Sequence, residues 1–299
     1  MNVAVPVSAP VAHTQAQGWS AWPAPAKLNL FLHIVGRRDD GYHLLQTVFQ
    51  LLDWGDLVRL RVRDDGLICR HDPLPGIAPE TDLAVRAAEA LRAASGSRLG
   101  VDIAIDKHIP MGGGLGGGSS DAATVLVALN EVWNTNLNED ALGAMGLELG
   151  ADVPVFVRGR SAWAEGIGER LSVIDLPERW YVVVDPGVKA PTAELFQSAD
   201  LTRNAPRLTI PLFLSGAATE NAFEPVVRAR FPAVASALDW LQEYGEARLS
   251  GSGGCIFSAF DKREAAAMVV KSCPVAFRAF VARGVARSPL HVQLQAALV

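Results

Sequence analysis

PMGGGLGGGSSDAA, from Pro110 to Ala123, places six glycines in the seven residues 112–118, immediately before a strongly periodic apolar run. Without side chains, these glycines leave their backbone N–H groups open to converge on an anion. A helix beginning at Ser119–Asp121 adds the positive end of its dipole. The hydroxyls of Ser119 and Ser120 offer further donors, and Ser120 is a candidate oxygen ligand for Mg²⁺. The stretch reads as a phosphate cradle. Gly112, Gly114 and Gly117 also satisfy G-x-G-x-x-G, the dinucleotide fingerprint, but KHIP (107–110) separates them from the strand expected to end at Ile105. A Walker A loop requires Gly-Lys-Ser/Thr, and no lysine follows these glycines. A flexible linker fits poorly between a strand and an amphipathic helix.

Downstream of the loop, Ala122, Val125, Leu126, Leu129, Val132 and Trp133 follow the i, i+3, i+4 pattern of a core-facing helix. Asn138 is placed to cap a further helix that ends at Gly150, and the apolar run Val153–Val157 predicts a strand. Upstream, strands are expected at Leu28–Val35, Thr47–Asp53, Leu57–Val62 and Val101–Ile105. A capped helix follows Thr81 and stops at Gly96. The pattern weakens around 166–177, which sets a domain boundary near residue 172. Beyond it come a strand at Tyr181–Asp185 and a short helix or loop at Thr192–Leu201. Helices are expected over 221–230 and 232–244, then a glycine turn feeding a strand. Asp261 and Glu264 form a capping-box-like start to a helix over 262–272, and Phe277–Ala282 is the last strand. Strands and helices alternate without a βαβ rhythm, so the class is α+β.

The whole chain sets further limits. Its 299 residues exceed one usual domain, and 49% hydrophobic with 20% charged residues is a globular composition. A formal net charge of −5 argues against a nucleic-acid partner. No apolar run reaches the length a bilayer requires. Three dispersed cysteines make no disulfide framework and fit a reducing cytoplasm. Residues 1–22 contain no Lys or Arg, and Pro6 and Pro10 interrupt their apolar stretch. They read as a loose N-terminal extension, not a secretory signal.

Pro110, Gly114, Leu115, Gly116, Ser119 and Ser120 resemble the ATP-binding signature of the galactokinase, homoserine kinase, mevalonate kinase and phosphomevalonate kinase (GHMP) superfamily. Within it, GGGLGGGSSDAA is similar to the 4-diphosphocytidyl-2-C-methyl-D-erythritol kinases of non-mevalonate isoprenoid synthesis. PAKLNLFLHIVGRRDDGYHLLQTVFQLLDWGD (25–56), LELGADVPVFVRGRSAWAEGIGE (147–169) and LSGSGGCIF (249–257) resemble further blocks of that family. The resemblance covers about residues 23–290. It implies an N-terminal domain like ribosomal protein S5 domain 2 (23–172) and a ferredoxin-like C-terminal domain (173–299), with the active site between them. It also implies ATP, Mg²⁺ and a cytidine diphospho-sugar alcohol as ligands. The ATP site would be Pro110, Met111, Gly112, Gly113, Gly114, Leu115, Gly116, Gly117, Gly118, Ser119 and Ser120.

Taken alone, Asp152 reads as a turn or capping aspartate and Lys27 as a solvated strand end. Phosphoryl transfer to an alcohol needs an acceptor for the hydroxyl proton and a cation near the transferring oxygens. The resemblance implies that Asp152 is the base and Lys27 its charged partner. Asn29 shares the strand face of Lys27 by the period of two, so it is either a substrate ligand or a polar strand residue. Tyr42 could stack on a pyrimidine and His43 bond its edge; the alternative is a core tyrosine and a surface histidine. Resemblance to the cytidine-binding block favours the first reading, with Phe196 across the base and Thr192 nearby. Met111 and Trp163 otherwise read as packing. The turn SGSGG (250–254) either contacts substrate or is a tight strand entry. Another small-molecule kinase of the same superfamily is the nearest alternative and a dinucleotide-binding oxidoreductase the remote one, while Lys27 and Asp152 together with the loop disfavour a non-catalytic nucleotide module.

Overall fold

The computed structural model describes residues 18–72 and 78–297. Its first half runs β1 (Ser20–Arg37), β2 (His43–Arg63), β3 (Ile68–Arg70), a 3₁₀ turn at Pro79–Thr81, α1 (Leu83–Ser95), β4 (Gly100–Asp106), α2 (Gly117–Val132), α3 (Glu139–Leu149), α4 (Val153–Arg158), β5 (Ala162–Gly166) and β6 (Arg170–Val173). The second half runs β7 (Trp180–Asp185), α5 (Thr192–Phe196), α6 (Ile210–Leu214), α7 (Glu224–Arg230), α8 (Pro232–Gln242), β8 (Arg248–Leu249), β9 (Ile256–Phe260), α9 (Arg263–Lys271), β10 (Arg278–Val285) and α10 (Pro289–Ala297).

The fold is α+β and has two domains that share one ten-stranded sheet, in the order β3-β4-β2-β10-β7-β9-β8. β1 and β5 also pair with β2, and β6 pairs with β5. The halves join where Gly284 and Val285 of β10 meet Leu52 and Leu51 of β2. One apolar core lies between β1, β2 and β4 and helices α1–α4. A second lies between β7 and β9 and helices α7–α9. The cores do not divide at one point in the sequence. Leu32 and Ile34 of β1 enter the second, while Leu290 of α10 returns to the first.

β1 and β2 are longer than the sequence pattern indicated. The expected strands at 47–53 and 57–62 form one strand through Gly55, and β1 begins at Ser20, before Pro23 and Pro25. Gly55 is what permits this. A Cβ there would lie 2.0 Å from Ala24 O, so the paired backbones need a residue without a side chain. Among the described residues the other edge of β1 carries only a single bridge, from Leu32 to Asn221. Hydroxyls of α2 take the exposed carbonyls instead, Ser120 Oγ donating to Pro25 O at 2.6 Å and Thr124 Oγ1 to Pro23 O at 3.2 Å. The expected N-terminal extension is therefore too long by its last residues: Ser20–Trp22 are in β1 and Trp22 is buried. Residues 1–17 lie outside the described residues.

The expected strand at Val153–Val157 is the helix α4. Its β-branched run fits a strand, but Pro154 in the first turn and Gly159 at φ +60° mark a short helix, buried on all sides. Two caps also differ. Asp82, not Thr81, caps α1 by accepting from Ala84 N, and Asp261 pairs with Arg179 instead of capping α9. α2 starts at Gly117, two residues early. Asn138 and Gly96 act as expected. Trp163 is core packing against Phe31, whereas Met111 is exposed.

Candidate active site

The loop 110–116 alternates its backbone between left-handed glycines, with Gly112 at φ +73°, Gly114 at +79° and Gly116 at +75°. Such alternation turns successive N–H groups toward one side, and Gly116 then caps α2 with no side-chain bond to that helix's first N–H groups. The cradle is held from behind. Lys27 N donates to Leu115 O and Cys255 N to Gly113 O, both at 3.0 Å. A Cβ on Gly114 would stand 2.0 Å from Ser250 O, so this loop and the 250–254 turn meet backbone to backbone.

Lys27 is no solvated strand end. It is 3% exposed, and its ammonium donates to Asn29 Oδ1 at 2.5 Å and to Gly114 O at 3.1 Å. Its third partner is Asp152 Oδ2 at 3.1 Å. Asp152 stands where α3 hands over to α4 and keeps a third of its side chain exposed, at 33%. The structure thus brings together a buried cation, a half-open carboxylate and the glycine loop from three distant stretches of chain. Asn29 sits behind the ammonium: its Oδ1 accepts from Lys27 and its Nδ2 donates to Thr47 Oγ1 at 2.9 Å. Its Oδ1 thus orients the Lys27 ammonium, while the second hydrogen of Nδ2 has no partner among these bonds. Ser119 lies at the half-buried start of α2, while Ser120 is fully buried with its hydroxyl given to Pro25 O.

Beside this constellation lies a cleft of about 760 Å³ whose lining includes Arg37, Tyr42, His43, Ala151, Phe196 and Arg203. Tyr42 is a rim residue, 60% exposed. His43 and Phe196 do not face each other across open space. Their rings stack directly, with centroids 4.9 Å apart and planes 21° apart, and Phe223 meets Phe196 edge to face. Burial, with the Arg203 and Arg37 cations beside it, holds the His43 imidazole below its usual pKa, so the ring is neutral. Thr192 precedes Ala193 of the cleft lining, and its hydroxyl shares a 2.7 Å hydrogen bond with Ser252 of the second glycine turn.

One motif of the sequence reading gains a definite place, and two further features had no signal in it. Ser250 Oγ donates to Gly114 O at 3.1 Å and accepts from Asn29 N at 3.3 Å, which joins the second glycine turn to both other motifs. Arg203 is a hub between α5 and the cleft. Lys107 lies between Asp56 Oδ2 at 2.5 Å and Asp121 Oδ2 at 2.7 Å, under the entry to the loop. Asp56 also accepts from the N–H groups of His108 and Ile109. Burial, and after it the Lys107 and Asp56 charges with opposite signs, leave the Asp121 carboxyl pushed up to about 7. WGD at 54–56 looks like an ordinary turn, and only the fold brings it to Lys107.

Comparison with known proteins agrees with this geometry. The family described as "GHMP kinases N terminal domain" matches residues 82–160, and "GHMP kinases C terminal" matches 200–273. A 4-diphosphocytidyl-2-C-methyl-D-erythritol kinase of Halorhodospira halophila is 58% identical over 279 residues, covering 92% of this chain and 96% of that protein. Its counterpart in Xanthomonas euvesicatoria pv. vesicatoria is 57% identical over 282 residues, 94% of this chain and 96% of that one. A crystal structure of 4-(cytidine 5'-diphospho)-2C-methyl-D-erythritol kinase superposes with a TM-score of 0.79 at 33% identity, over 89% of this chain and 100% of that chain. A homoserine kinase from Cytophaga hutchinsonii shares the fold at a TM-score of 0.65 and 17% identity, over 93% of this chain and 98% of its own. The chain belongs to the 4-diphosphocytidyl-2-C-methyl-D-erythritol kinase family of the GHMP kinases.

Proposed function

We propose that this chain transfers the γ-phosphoryl group of ATP to the 2-hydroxyl of 4-diphosphocytidyl-2-C-methyl-D-erythritol, a step toward isoprenoid precursors. The observation that carries the reading is the Lys27–Asp152 pair, 3.1 Å apart and tied to the glycine loop through Gly114 O. The loop and the start of α2 receive the triphosphate on backbone N–H groups and the helix dipole. The substrate hydroxyl attacks the γ-phosphorus as the bond to ADP breaks, and its proton passes to the Asp152 carboxylate. Lys27 holds that carboxylate in place and supplies positive charge beside the transferring oxygens. The cleft takes the cytosine, with Tyr42 as the stacking ring and His43 at the base edge. The division between the domains near residue 172 belongs to the same proposal, with α10 crossing back.

Mg²⁺ is the expected companion of the triphosphate, whose phosphate oxygens would supply most of its ligands. Ser120 is turned inward and occupied by Pro25 O. Among the described residues no group of three or more His, Cys, Asp or Glu side chains could hold a metal. Among the described residues no helix is long and apolar enough to cross a membrane.

The test is an ADP-release assay with the cytidylyl alcohol, run against mevalonate, homoserine and galactose. The reading predicts release with the first alone. Equal or faster release with any of the other three would overturn it.

A further inference from the structure

Arg203 lies in the loop after α5, outside every motif, yet it makes a dense set of contacts at the cleft. Its Nη2 donates to Phe196 O at 2.9 Å and Ser198 O at 2.7 Å, and its Nη1 to Leu201 O at 3.0 Å. Nε remains, and it donates to His43 Nε2 at 3.3 Å. A guanidinium has no acceptor, so the histidine nitrogen facing it must be the one without hydrogen. In the neutral ring the hydrogen then sits on Nδ1. Among the described residues Nδ1 makes no hydrogen bond, and it is not one of the buried polar atoms left without a partner. It is free to donate to a ligand. The ring cannot turn away, because one face is stacked on Phe196, which Phe223 braces from the buried core.

We infer that Arg203 is a specificity-determining positioning residue, which fixes His43 as a hydrogen donor at Nδ1 and so selects cytosine over uracil in the cleft. The inference rests on the substrate reading proposed above. Cytosine presents an unprotonated N3 on its pairing edge, an acceptor that a donor at Nδ1 can satisfy. Uracil carries hydrogen on N3, and two donors would face each other with both left unpaired. A histidine free to change tautomer could accept from uracil as readily as it donates to cytosine. Arg203 removes that choice. The charged and titratable groups around the ring agree with a neutral donor. Arg203 and Arg37 oppose an imidazolium, the Asp40 carboxylate of the cleft is paired with Arg38 at 2.7 Å, and the Tyr42 phenol lies at the rim.

The test compares the wild-type chain with Arg203→Met, which keeps length and removes every donor, and Arg203→Lys, which restores one donor without the fork. Two readouts are taken on each. The first is the ratio of kcat/KM for the cytidylyl substrate to that for its uridylyl counterpart. We expect Arg203→Met to lower this ratio about tenfold, the effect of one lost hydrogen bond to the base edge, and Arg203→Lys to recover part of it. The second is the ¹⁵N spectrum of the histidines, assigned with His43→Gln. The wild type should show His43 protonated at Nδ1, and Arg203→Met a shift toward the Nε2 tautomer. A merely structural strap would raise KM for both substrates alike, leaving ratio and tautomer unchanged, and that result would overturn the inference. So would an Nε2-protonated His43 in the wild type. If Arg203→Met does not fold, Arg203→Lys decides: a ratio below wild type with His43 shifted in part toward the Nε2 tautomer supports the inference, and a ratio and tautomer both equal to wild type overturn it. Turnover of the cytidylyl substrate with an unaltered ratio removes this inference alone, whereas no turnover by the wild type removes the proposed function with it.

Discussion

The phosphoryl end of the site and the base end are built on opposite principles. Around Lys27 nearly every polar atom already has a partner inside the protein, and the glycine loop is pinned by β1 on one side and by the 250–254 turn on the other. Around Tyr42 the cleft is open, and the ring at its rim is more than half exposed. The contrast follows from what each end must do. Charge developing on transferring oxygens is stabilised by dipoles fixed in advance, since a site that reorganises during reaction loses the gain. A base only needs a flat apolar face and an edge to read, so it can be taken up by groups that still touch water.

The largest effect should come from the fixed end. Asp152→Asn keeps the side-chain shape and leaves Lys27 its contacts to Asn29 and Gly114, and it removes the proton acceptor together with the charge that faces Lys27. Turnover should fall by roughly 10²–10⁴ with the Michaelis constants little changed, the usual span for a positioned base. A fall within about threefold in steady-state assays would mean that the ion pair is structural.

At the open end, Tyr42→Ala should raise KM for the cytidylyl substrate about five- to a hundredfold, because base stacking on an aromatic ring is worth about 1–3 kcal/mol. The ATP constant should hardly move. If both constants rise together, or the melting temperature drops, the two ends are not separable in the way described.

Gly116→Ala sharpens the same comparison. The new Cβ would lie 2.8 Å from the Phe156 ring and 3.1 Å from Lys27 Cε, at a backbone φ of +75°. The left-handed backbone alone should cost about 1–2 kcal/mol in a denaturant titration. Because Lys27 is displaced as well, turnover should suffer along with nucleotide affinity. Unchanged ATP binding and unchanged stability would remove the cradle from the account.

The smallest effect is a pH dependence of the support beneath the loop. Asp121 binds its proton more tightly in the folded chain than unfolded, so its contribution to stability is complete below about pH 4 and is lost as pH rises through about 7. Asp121→Asn should flatten that part of the profile of melting temperature against pH. A profile identical to wild type would place the carboxyl's charge elsewhere.

The same contrast explains what could be read from the sequence. The glycine loop was legible because its chemistry lies in one contiguous stretch, with the backbone doing the binding. Tyr42 and His43 alone read as a core tyrosine and a surface histidine; only the resemblance suggested a base site, and the structure puts both in the lining of the cleft. The Lys27–Asp152 pairing came from the resemblance alone, since neither residue signals its burial and the run after Asp152 reads as a strand. VPVFV has the β-branched composition of one, and tertiary burial on every side overrides that preference. Asn29 fell on the expected face, but periodicity could not tell a substrate ligand from a group that orients its neighbour. Arg203 carries no pattern at all. An arginine between two short loops becomes informative only when the fold lays it against His43. α10 lies past the last expected strand, in a part of the chain whose packing partner is the distant first domain.

The most direct test of the central claim is the proton-coupled ³¹P spectrum of the product formed from ATP and the cytidylyl alcohol. The 2-carbon of the erythritol bears a methyl group and no hydrogen, so a phosphate on its oxygen has no proton three bonds away. Transfer to the 2-hydroxyl predicts a new phosphomonoester signal without splitting, appearing in step with ADP. A doublet or triplet would place the phosphate on another hydroxyl, and the absence of any new signal would contradict the transfer itself.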